Sequence, residues 1–121
     1  MKTTLSLPKF LLHLEGAALL LASLVVYGAL HGSWGWFAVL FLAPDLAMLG
    51  YLAGPKAGAV CYNALHTSAV PLGLGVIGHL TGHAEVLPWL AIWVAHIGFD
   101  RLVGYGLKYP TAFKDTHLGR V

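Results

Sequence analysis

The stretch WVAHIGFDRLVGYGLKYP, residues 93–110, sets a histidine and an aspartate inside an apolar run that ends at a tyrosine–proline pair. It belongs to the last of four apolar segments, each with the roughly 20 residues that the hydrocarbon core of a bilayer requires. The segments are too long, and alternate too little, for membrane strands. They predict an all-α, polytopic membrane protein, a four-transmembrane-helix bundle, with helices at about 9–31, 34–53, 57–80 and 86–108 and a short polar tail at 110–121.

The composition also indicates a membrane protein. Of the 121 residues, 58% are hydrophobic and 10% are charged, and the mean hydropathy is +0.75, whereas a soluble domain carries about 25% charged residues. The length predicts a single domain, residues 1–121. The only cysteine, Cys61, excludes an intrachain disulfide framework, and a net charge of +2 is too small to indicate a nucleic-acid partner.

The basic residues predict the orientation of the bundle. Four spans place both termini on the same side as the loop at 54–56. In the sequence, the loops near 32–33 and 81–85 hold no Lys or Arg, and the first side collects Lys2, Lys9, Lys56, Lys108, Lys114 and Arg120. Because cytoplasmic loops carry the excess of basic residues, both termini are expected in the cytoplasm.

Several ionisable side chains fall inside the predicted spans: Glu15, Asp45, His66, His96, Asp100 and Arg101. A charged side chain at the centre of a bilayer costs roughly 2.5–3.5 kcal/mol on insertion scales, so a group of them needs a reason. At a rise of about 1.5 Å per residue, the carboxylates and histidines lie about 9–18 Å from the cytoplasmic helix ends. Antiparallel helices therefore predict one shared polar site in the cytoplasmic half of the membrane.

Residue type and spacing indicate what this site would bind. His96 and Asp100 are separated by four residues and share a helix face. With Asp45 and His66 they make a two-histidine, two-carboxylate set that suits a divalent metal ion, zinc first, with manganese or iron as alternatives. Glu15 is then a candidate general base, or the partner that holds Arg101.

Structural interpretations of the same residues stay open. His96 and Asp100 are alternatively a buried hydrogen-bonded pair without a metal. Glu15 and Arg101 are alternatively a structural ion pair. The Asp45 carboxylate is alternatively the cap of a helix that restarts after the preceding proline.

Other features concern packing and the tail. Pro71 predicts a kink in the third helix just after His66, and Tyr105 lies close to the polar site. A solvated tail is expected; the alternative is a tail that folds back over the cytoplasmic opening, with His117 as an added ligand. An aromatic belt at the non-cytoplasmic interface is predicted from Trp34, Trp36, Trp89 and Trp93.

Two long segments carry a family resemblance: APDLAMLGYLAGPKAGAVCYNALHTSAVP and WVAHIGFDRLVGYGLKYPTAFKDTHLGRV. They resemble a family of small, uncharacterised bacterial integral membrane proteins of four helices. The match covers most of the chain, and AHIGFDRLVGYGLKY followed by FKDTHLG is its most specific part. This family resemblance implies the four-helix fold and no activity.

A more distant resemblance does imply an activity. Membrane-bound metal-dependent hydrolases of bacterial inner membranes carry, in order, a Pro-Asp, a His-Ser type motif, and a His-x-x-x-Asp followed by a glycine-containing turn and an aromatic-Pro. The corresponding pairs here are Pro44-Asp45, His66-Thr67, His96 to Asp100, and Gly104 through Tyr109-Pro110. This resemblance implies Asp45, His66, His96 and Asp100 as metal ligands in a multi-pass protein of the inner membrane. Cys61 stands where the larger family has a further histidine, so either it ligates as a thiolate or the site has one ligand fewer.

Three functions follow as hypotheses. The first is a metal-dependent hydrolase whose site opens to the cytoplasmic leaflet and acts on a lipid or another amphiphilic small molecule. The second is a proton- or ion-handling transport bundle, which would require a homo-oligomer to form a path. The third is a structural membrane protein whose polar cluster fixes helix packing.

Overall fold

The computed structural model describes residues 6–111 and 114–120, and in that part of the chain every regular element is a helix. The helices are α1 (Leu7–Ala29), α2 (Trp34–Leu40), a 3-10 helix (Ala43–Ala53), α3 (Pro55–His66), α4 (Ala69–Leu80), a 3-10 turn (Ala84–Val86), α5 (Leu87–Val103) and α6 (His117–Arg120). The predicted all-α fold is therefore confirmed.

The first and last long helices, α1 and α5, form the most extensive interface. Glycines allow this close approach. A Cβ atom on Gly16 would lie 2.5 Å from the Cβ of Arg101, and one on Gly98 would lie 2.6 Å from the backbone nitrogen of Leu20. Small residues commonly bring membrane helices together in this way. Helix α5 lies at the centre of the bundle, because it contributes more buried residues than any other element.

The second predicted helix is divided. Residues 34–40 are α-helical, but Ala43–Ala53 coil as a 3-10 helix. Pro44, at the start of this segment, cannot donate a backbone hydrogen bond. A 3-10 helix places residues three apart on one face, so the small residues Ala47 and Gly50 share the side that packs on α3. A Cβ on Gly50 would meet the Cys61 side chain at 2.8 Å.

The third predicted helix is bent where the kink was expected. Helix α3 ends at His66, α4 begins at Ala69, and the two are inclined by 43°. Pro71 lies in the first turn of α4, where a proline is tolerated because the first-turn amides have no intrahelical acceptor. The bend leaves two carbonyls at the end of α3 without donors from their own helix. Two side chains of α5 donate hydrogen bonds to them instead, as described below.

The fourth helix is shorter than predicted. It ends at Val103 rather than near 108, because Gly104 adopts a left-handed conformation with φ of 106° and caps the helix. Residues 105–111 then run as an irregular segment below the helix end. Lys108 therefore lies outside the span that the sequence assigned to it.

The polar tail packs against the protein, so the expectation of a solvated tail was wrong. Lys108 and Thr116 form an isolated antiparallel bridge, and Leu118 is 1% exposed. The Arg120 guanidinium donates two hydrogen bonds to the Asp115 carboxylate, at 2.6 and 2.9 Å, and the Thr111 hydroxyl donates a third. These donors lower the pKa of Asp115 to about 2. Residues 112, 113 and 121 of the predicted tail lie outside the described residues.

Length and composition allow three helical segments to cross a membrane, Leu7–Ala29, Trp34–Ala53 and Ala84–Val103, or four if the bent pair α3 and α4 counts as one span. Large apolar side chains cover much of their outer surfaces, among them Leu21 and Val25 on α1 and Leu52 on the 3-10 helix. Such surfaces suit a lipid environment rather than water. The fold is that of a membrane protein.

Candidate metal centre

Four side chains from three different elements meet in the interior: Asp45, His66, His96 and Asp100, referred to below as the His–Asp cluster. One ligand atom from each lies within 4.8 Å of the other three. The Nε2 atom of His66 is 3.1 Å from Asp45 Oδ1, 3.5 Å from Asp100 Oδ2 and 3.2 Å from His96 Nε2. The Nε2 atom of His96 is 3.2 Å from each of the same carboxylate oxygens.

The breaks in regular helix position these groups. Asp45 lies in the first turn of the 3-10 helix, and His66 is the last residue of α3 before the bend. His96 and Asp100 lie one turn apart on α5. Because α5 occupies the centre of the bundle, these two side chains face both the 3-10 helix and the end of α3.

The separations match a tetrahedral metal site. Zinc bonds to histidine nitrogen and carboxylate oxygen measure about 2.0–2.1 Å, which gives ligand-to-ligand edges of about 3.3–3.4 Å in a tetrahedron. Five of the six edges of the cluster run from 3.1 to 3.5 Å. Side chains that merely packed against one another would not need to bring two imidazole nitrogens and two carboxylate oxygens together around one point.

The hydrogen bonding of His66 fixes which of its nitrogens faces inward. Its Nδ1 lies 2.8 Å from the Tyr62 carbonyl, which can only accept, so Nδ1 carries a proton. In the neutral imidazole, Nε2 therefore presents a lone pair to the two carboxylates and to His96. The Tyr62 ring stacks on the imidazole at 3.7 Å and holds its plane. Lone pairs that converge in this way need protons or a cation between them.

Burial differs between the four groups. The side chains of His66, His96 and Asp100 are 0%, 1% and 9% exposed, whereas that of Asp45 is 34% exposed. The cluster is thus closed on three sides and accessible on the Asp45 side. The Asp45 carboxylate does not cap the 3-10 helix, so the capping alternative is wrong.

Arg101 has a different partner from the one predicted. Its Nη2 donates to the His66 carbonyl at 2.7 Å and its Nη1 to the Tyr105 carbonyl at 3.0 Å. Trp93 likewise donates from Nε1 to the Leu65 carbonyl at 2.7 Å. These two donors satisfy the carbonyls that the α3–α4 bend releases. Arg101 therefore positions the His66 segment, and Trp93 is an internal donor rather than a member of the interface belt.

Glu15 is not part of the cluster, which corrects its predicted place beside Arg101. Glu15 is exposed, and no ion pair joins it to Arg101 among the described residues. The reason is helical phase: Gly16 faces the Arg101 backbone, and the preceding residue is rotated by about 100° around α1.

The three accessory candidates also lie outside the cluster. Cys61 is exposed and packs against Gly50. His117 receives the Leu107 amide hydrogen on its Nδ1 at 2.8 Å, so it helps to fix the tail instead of reaching the ligands. Tyr105 is 58% exposed and lines the neighbouring cavity.

A cavity of about 520 Å³ adjoins the open side of the cluster. It is lined by Asp45, Met48, Tyr62, Asp100, Gly104, Tyr105, Lys108, Lys114 and Thr116, and is referred to below as the lysine-lined cavity. The Lys108 ammonium lies 4.7 Å from the centre of the Tyr62 ring. Burial lowers the pKa of Lys108, against the opposing effect of the Asp100 carboxylate.

Sequence reasoning missed the contribution of Lys108, Lys114 and Thr116 to this cavity. The two lysines served only to predict the orientation of the bundle, and Thr116 was assigned to the polar tail. The contact between the tail and residue 108 was not predicted, because it depends on how the chain turns after Gly104. The one local signal was Asn63, one turn before His66. Its side chain brackets the backbone of Lys108, accepting from the amide at 2.6 Å and donating to the carbonyl at 2.8 Å.

Fold and site together define an all-α membrane protein with an internal His–Asp cluster. Residues 9–121 match the model of a family described as a domain of unknown function (DUF4260), and the chain belongs to that family. No curated protein and no solved structure matches the chain. The resemblance to membrane-bound metal-dependent hydrolases therefore stays a prediction.

Proposed function

We propose that this protein is a membrane-embedded, metal-dependent hydrolase. The observation that carries the proposal is the convergence of two imidazole nitrogens and two carboxylate oxygens, 3.1–3.5 Å apart, at the wall of a cavity. Asp45, His66, His96 and Asp100 would hold the ion. Zinc suits this mixed nitrogen and oxygen set in a tetrahedral arrangement, with manganese or iron as alternatives.

The uneven burial of the ligands supports a catalytic rather than a sealed site. Catalytic zinc sites keep one position open to water or substrate, whereas structural sites are closed by four protein ligands. Asp45 is the ligand exposed to the cavity, and it belongs to a 3-10 helix rather than to the central helix. It is therefore the ligand expected to exchange when a substrate oxygen arrives.

The chemistry needs only water as co-reactant. A divalent metal ion held by such ligands polarises a carbonyl or phosphoryl oxygen and lowers the pKa of water. In hydrolysis, the oxygen of water bonds to the acyl or phosphoryl centre, the bond to the leaving oxygen breaks, and that oxygen takes up a proton. Arg101 and Tyr62 contribute by holding His66 in place.

The proposed topology places this site at the cytoplasmic leaflet of the bacterial inner membrane. The chain would cross the membrane four times, with α3 and α4 as one bent span and both termini in the cytoplasm. Lys9, Lys56, Lys108, Lys114 and Arg120 then share the cytoplasmic side; Lys2 lies outside the described residues. A cavity at that level favours an amphiphilic substrate whose polar end reaches the cluster.

Hydrolysis of fluorogenic ester and phosphodiester amphiphiles in mixed micelles tests the proposal. Zinc-loaded protein should turn over at least one of these substrates, and a chelator or His96→Ala should abolish turnover. His83→Ala is the matched control, since His83 is exposed and lies outside the cluster. Turnover that is equal in wild type, His96→Ala and chelated protein would contradict the proposal.

A structural metal site is the second candidate, because four protein ligands complete a tetrahedron without water. In that case zinc would stabilise the fold and His96→Ala would lower stability, but no substrate would be turned over at any metal loading. The micelle assay, run beside thermal unfolding on the same samples, separates the two candidates.

A further inference from the structure

We infer that the lysine-lined cavity binds the phosphate or phosphodiester headgroup of an anionic amphiphile, with Lys108 and Lys114 as the recognising cations. This inference rests on the proposed function, since it names the substrate class of the same site. Three observations carry it: how Lys108 is held, how the tail delivers Lys114, and how charge balances around the cluster.

Lys108 is fixed in position rather than free in solvent. The residue is 7% exposed, its backbone is bracketed by the Asn63 amide at 2.6 and 2.8 Å, and its ammonium lies 4.7 Å from the Tyr62 ring centre. Both Tyr62 and Lys108 line the cavity with the carboxylates of the cluster. A lysine on a rigid backbone, next to a candidate metal site, suits the recognition of a phosphate oxygen.

The folded tail delivers the second cation. Lys114 and Thr116 reach the cavity wall because the tail pairs with the chain at Lys108. The Asp115–Arg120 hydrogen bonds close the tail on itself. Lys114 itself is exposed and lines the cavity, so its charge would be accessible to an incoming anion.

The charge balance of the cavity depends on the metal. With neutral histidines, the carboxylates of Asp45 and Asp100 carry two negative charges, which a divalent ion would cancel. Lys108 and Lys114 line the same cavity as these two carboxylates. Because the ion would cancel the two carboxylate charges, metal-loaded protein should bind anions more tightly than metal-free protein.

The surroundings favour a headgroup that remains attached to a lipid. Met48 and Tyr105, on the cavity wall, are 39% and 58% exposed. Exposed apolar side chains at the level of a bilayer interface would contact the acyl and glycerol part of an amphiphile. A free phosphate ion would use the lysines and leave these two side chains without a role.

Isothermal titration calorimetry with soluble probes tests the inference. Inorganic phosphate, dihexanoyl phosphatidylglycerol and zwitterionic dihexanoyl phosphatidylcholine are titrated into zinc-loaded protein in a neutral detergent. We expect the phosphatidylglycerol to bind most tightly. Lys114→Gln should weaken its binding about fivefold, as expected for one interfacial lysine, and Lys108→Gln about tenfold, as expected for a partly desolvated charge-assisted contact.

Lys56→Gln is the matched control, because Lys56 is exposed on the same side of the protein but does not line the cavity. The inference would be overturned if Lys108→Gln and Lys114→Gln both bound the phosphatidylglycerol as tightly as wild type, or if zinc-loaded wild type bound neither anionic probe. Phosphate bound as tightly as the phosphatidylglycerol would overturn the lipid assignment. Metal content and turnover of an uncharged ester, measured on the same samples, show separately whether the proposed hydrolase also fails.

Discussion

The substitution Asp100→Asn distinguishes a metal centre from a hydrogen-bonded cluster. The change keeps the shape of the side chain but removes its charge. At a free zinc concentration about 100 times its dissociation constant, wild-type protein gains about 2.7 kcal/mol of stability. Loss of a ligand weakens the site by at least about a hundredfold, the upper limit for disturbing a group that merely supports a ligand. The variant then gains only about 0.4 kcal/mol at the same zinc concentration.

In the absence of metal, the Asp100→Asn variant should not be less stable than wild type. In wild type, Asp45 and Asp100 both face the same pair of imidazoles. Neutralising one carboxylate relieves like-charge repulsion, so metal-free Asp100→Asn should be at least as stable as metal-free wild type. A buried ion-pair network without a metal predicts instead a loss of about 3–5 kcal/mol, independent of zinc.

The assay is unfolding in detergent micelles followed by circular dichroism, after chelation and dialysis, with and without added zinc. Asp115→Asn is the control: it makes the same chemical change at a half-buried tail position outside the cluster and should keep the full zinc-dependent gain. An equal zinc-dependent gain in Asp100→Asn and wild type, or a large loss in the metal-free variant, would refute the assignment of Asp100 as a ligand.

Three further predictions concern the supporting structure. Gly98→Val should separate α1 from α5, since a Cβ there already lies 2.6 Å from backbone, and cross-linking between cysteines placed on the two helices should fall. Arg101→Ala should cost about 3 kcal/mol or more, because two charge-assisted hydrogen bonds are lost and the His66 carbonyl is left without a donor; unfolding measurements check this, and an unchanged stability would exclude a positioning role. Asp115→Asn should release the tail and speed hydrogen exchange of the Leu107 amide. The pKa of Asp115 is lowered to about 2, so its contribution to tail closure is complete above its usual pKa near 3.8 and is lost as the pH falls through about 2. Equal protection of the Leu107 amide in Asp115→Asn and in wild type, compared at the same neutral pH, would contradict a role of the Asp115–Arg120 contact in closing the tail.

The His–Asp cluster could be predicted because it depends on simple periodicities. His96 and Asp100 share a face at a spacing of four, and the depths of Asp45 and His66 follow from helical rise. Neither argument needs exact helix ends, so the early end of α5 at Gly104 does not affect either of them. A bilayer also favours this outcome, because ionisable residues inside a span mostly face the bundle interior, although the exposed Glu15 does not.

Glu15 and Arg101 were misplaced because depth fixes height but not direction around a helix. The phase of α1 is set by Gly16 and Gly98 at the α1–α5 contact, and no property of Glu15 itself reports that phase. Arg101 was paired with Glu15, whereas the bend at residues 67–68 leaves the His66 carbonyl as its acceptor instead. The acceptors exist only because the helix breaks.

The 3-10 helix and the folded tail had weaker signals. Pro44 predicts an interruption, but the continued 3-10 geometry to Ala53 depends on packing against α3, where Gly50 and Gly58 admit close neighbours. The tail sequence is polar and short, which is typical of a solvated segment. Its closure relies on the Asn63–Lys108 contact, which joins positions 45 residues apart.

The central claim is that Asp45, His66, His96 and Asp100 bind one metal ion together. Elemental analysis of the purified protein, followed by X-ray absorption at the edge of the metal that is found, tests this claim most directly. The account predicts one divalent ion per chain with four nitrogen or oxygen neighbours at about 2.0–2.1 Å, two of them imidazoles, and no ion in His66→Ala. Protein that retains no metal after purification and after incubation with zinc, or that binds it equally well in His66→Ala, would contradict the account.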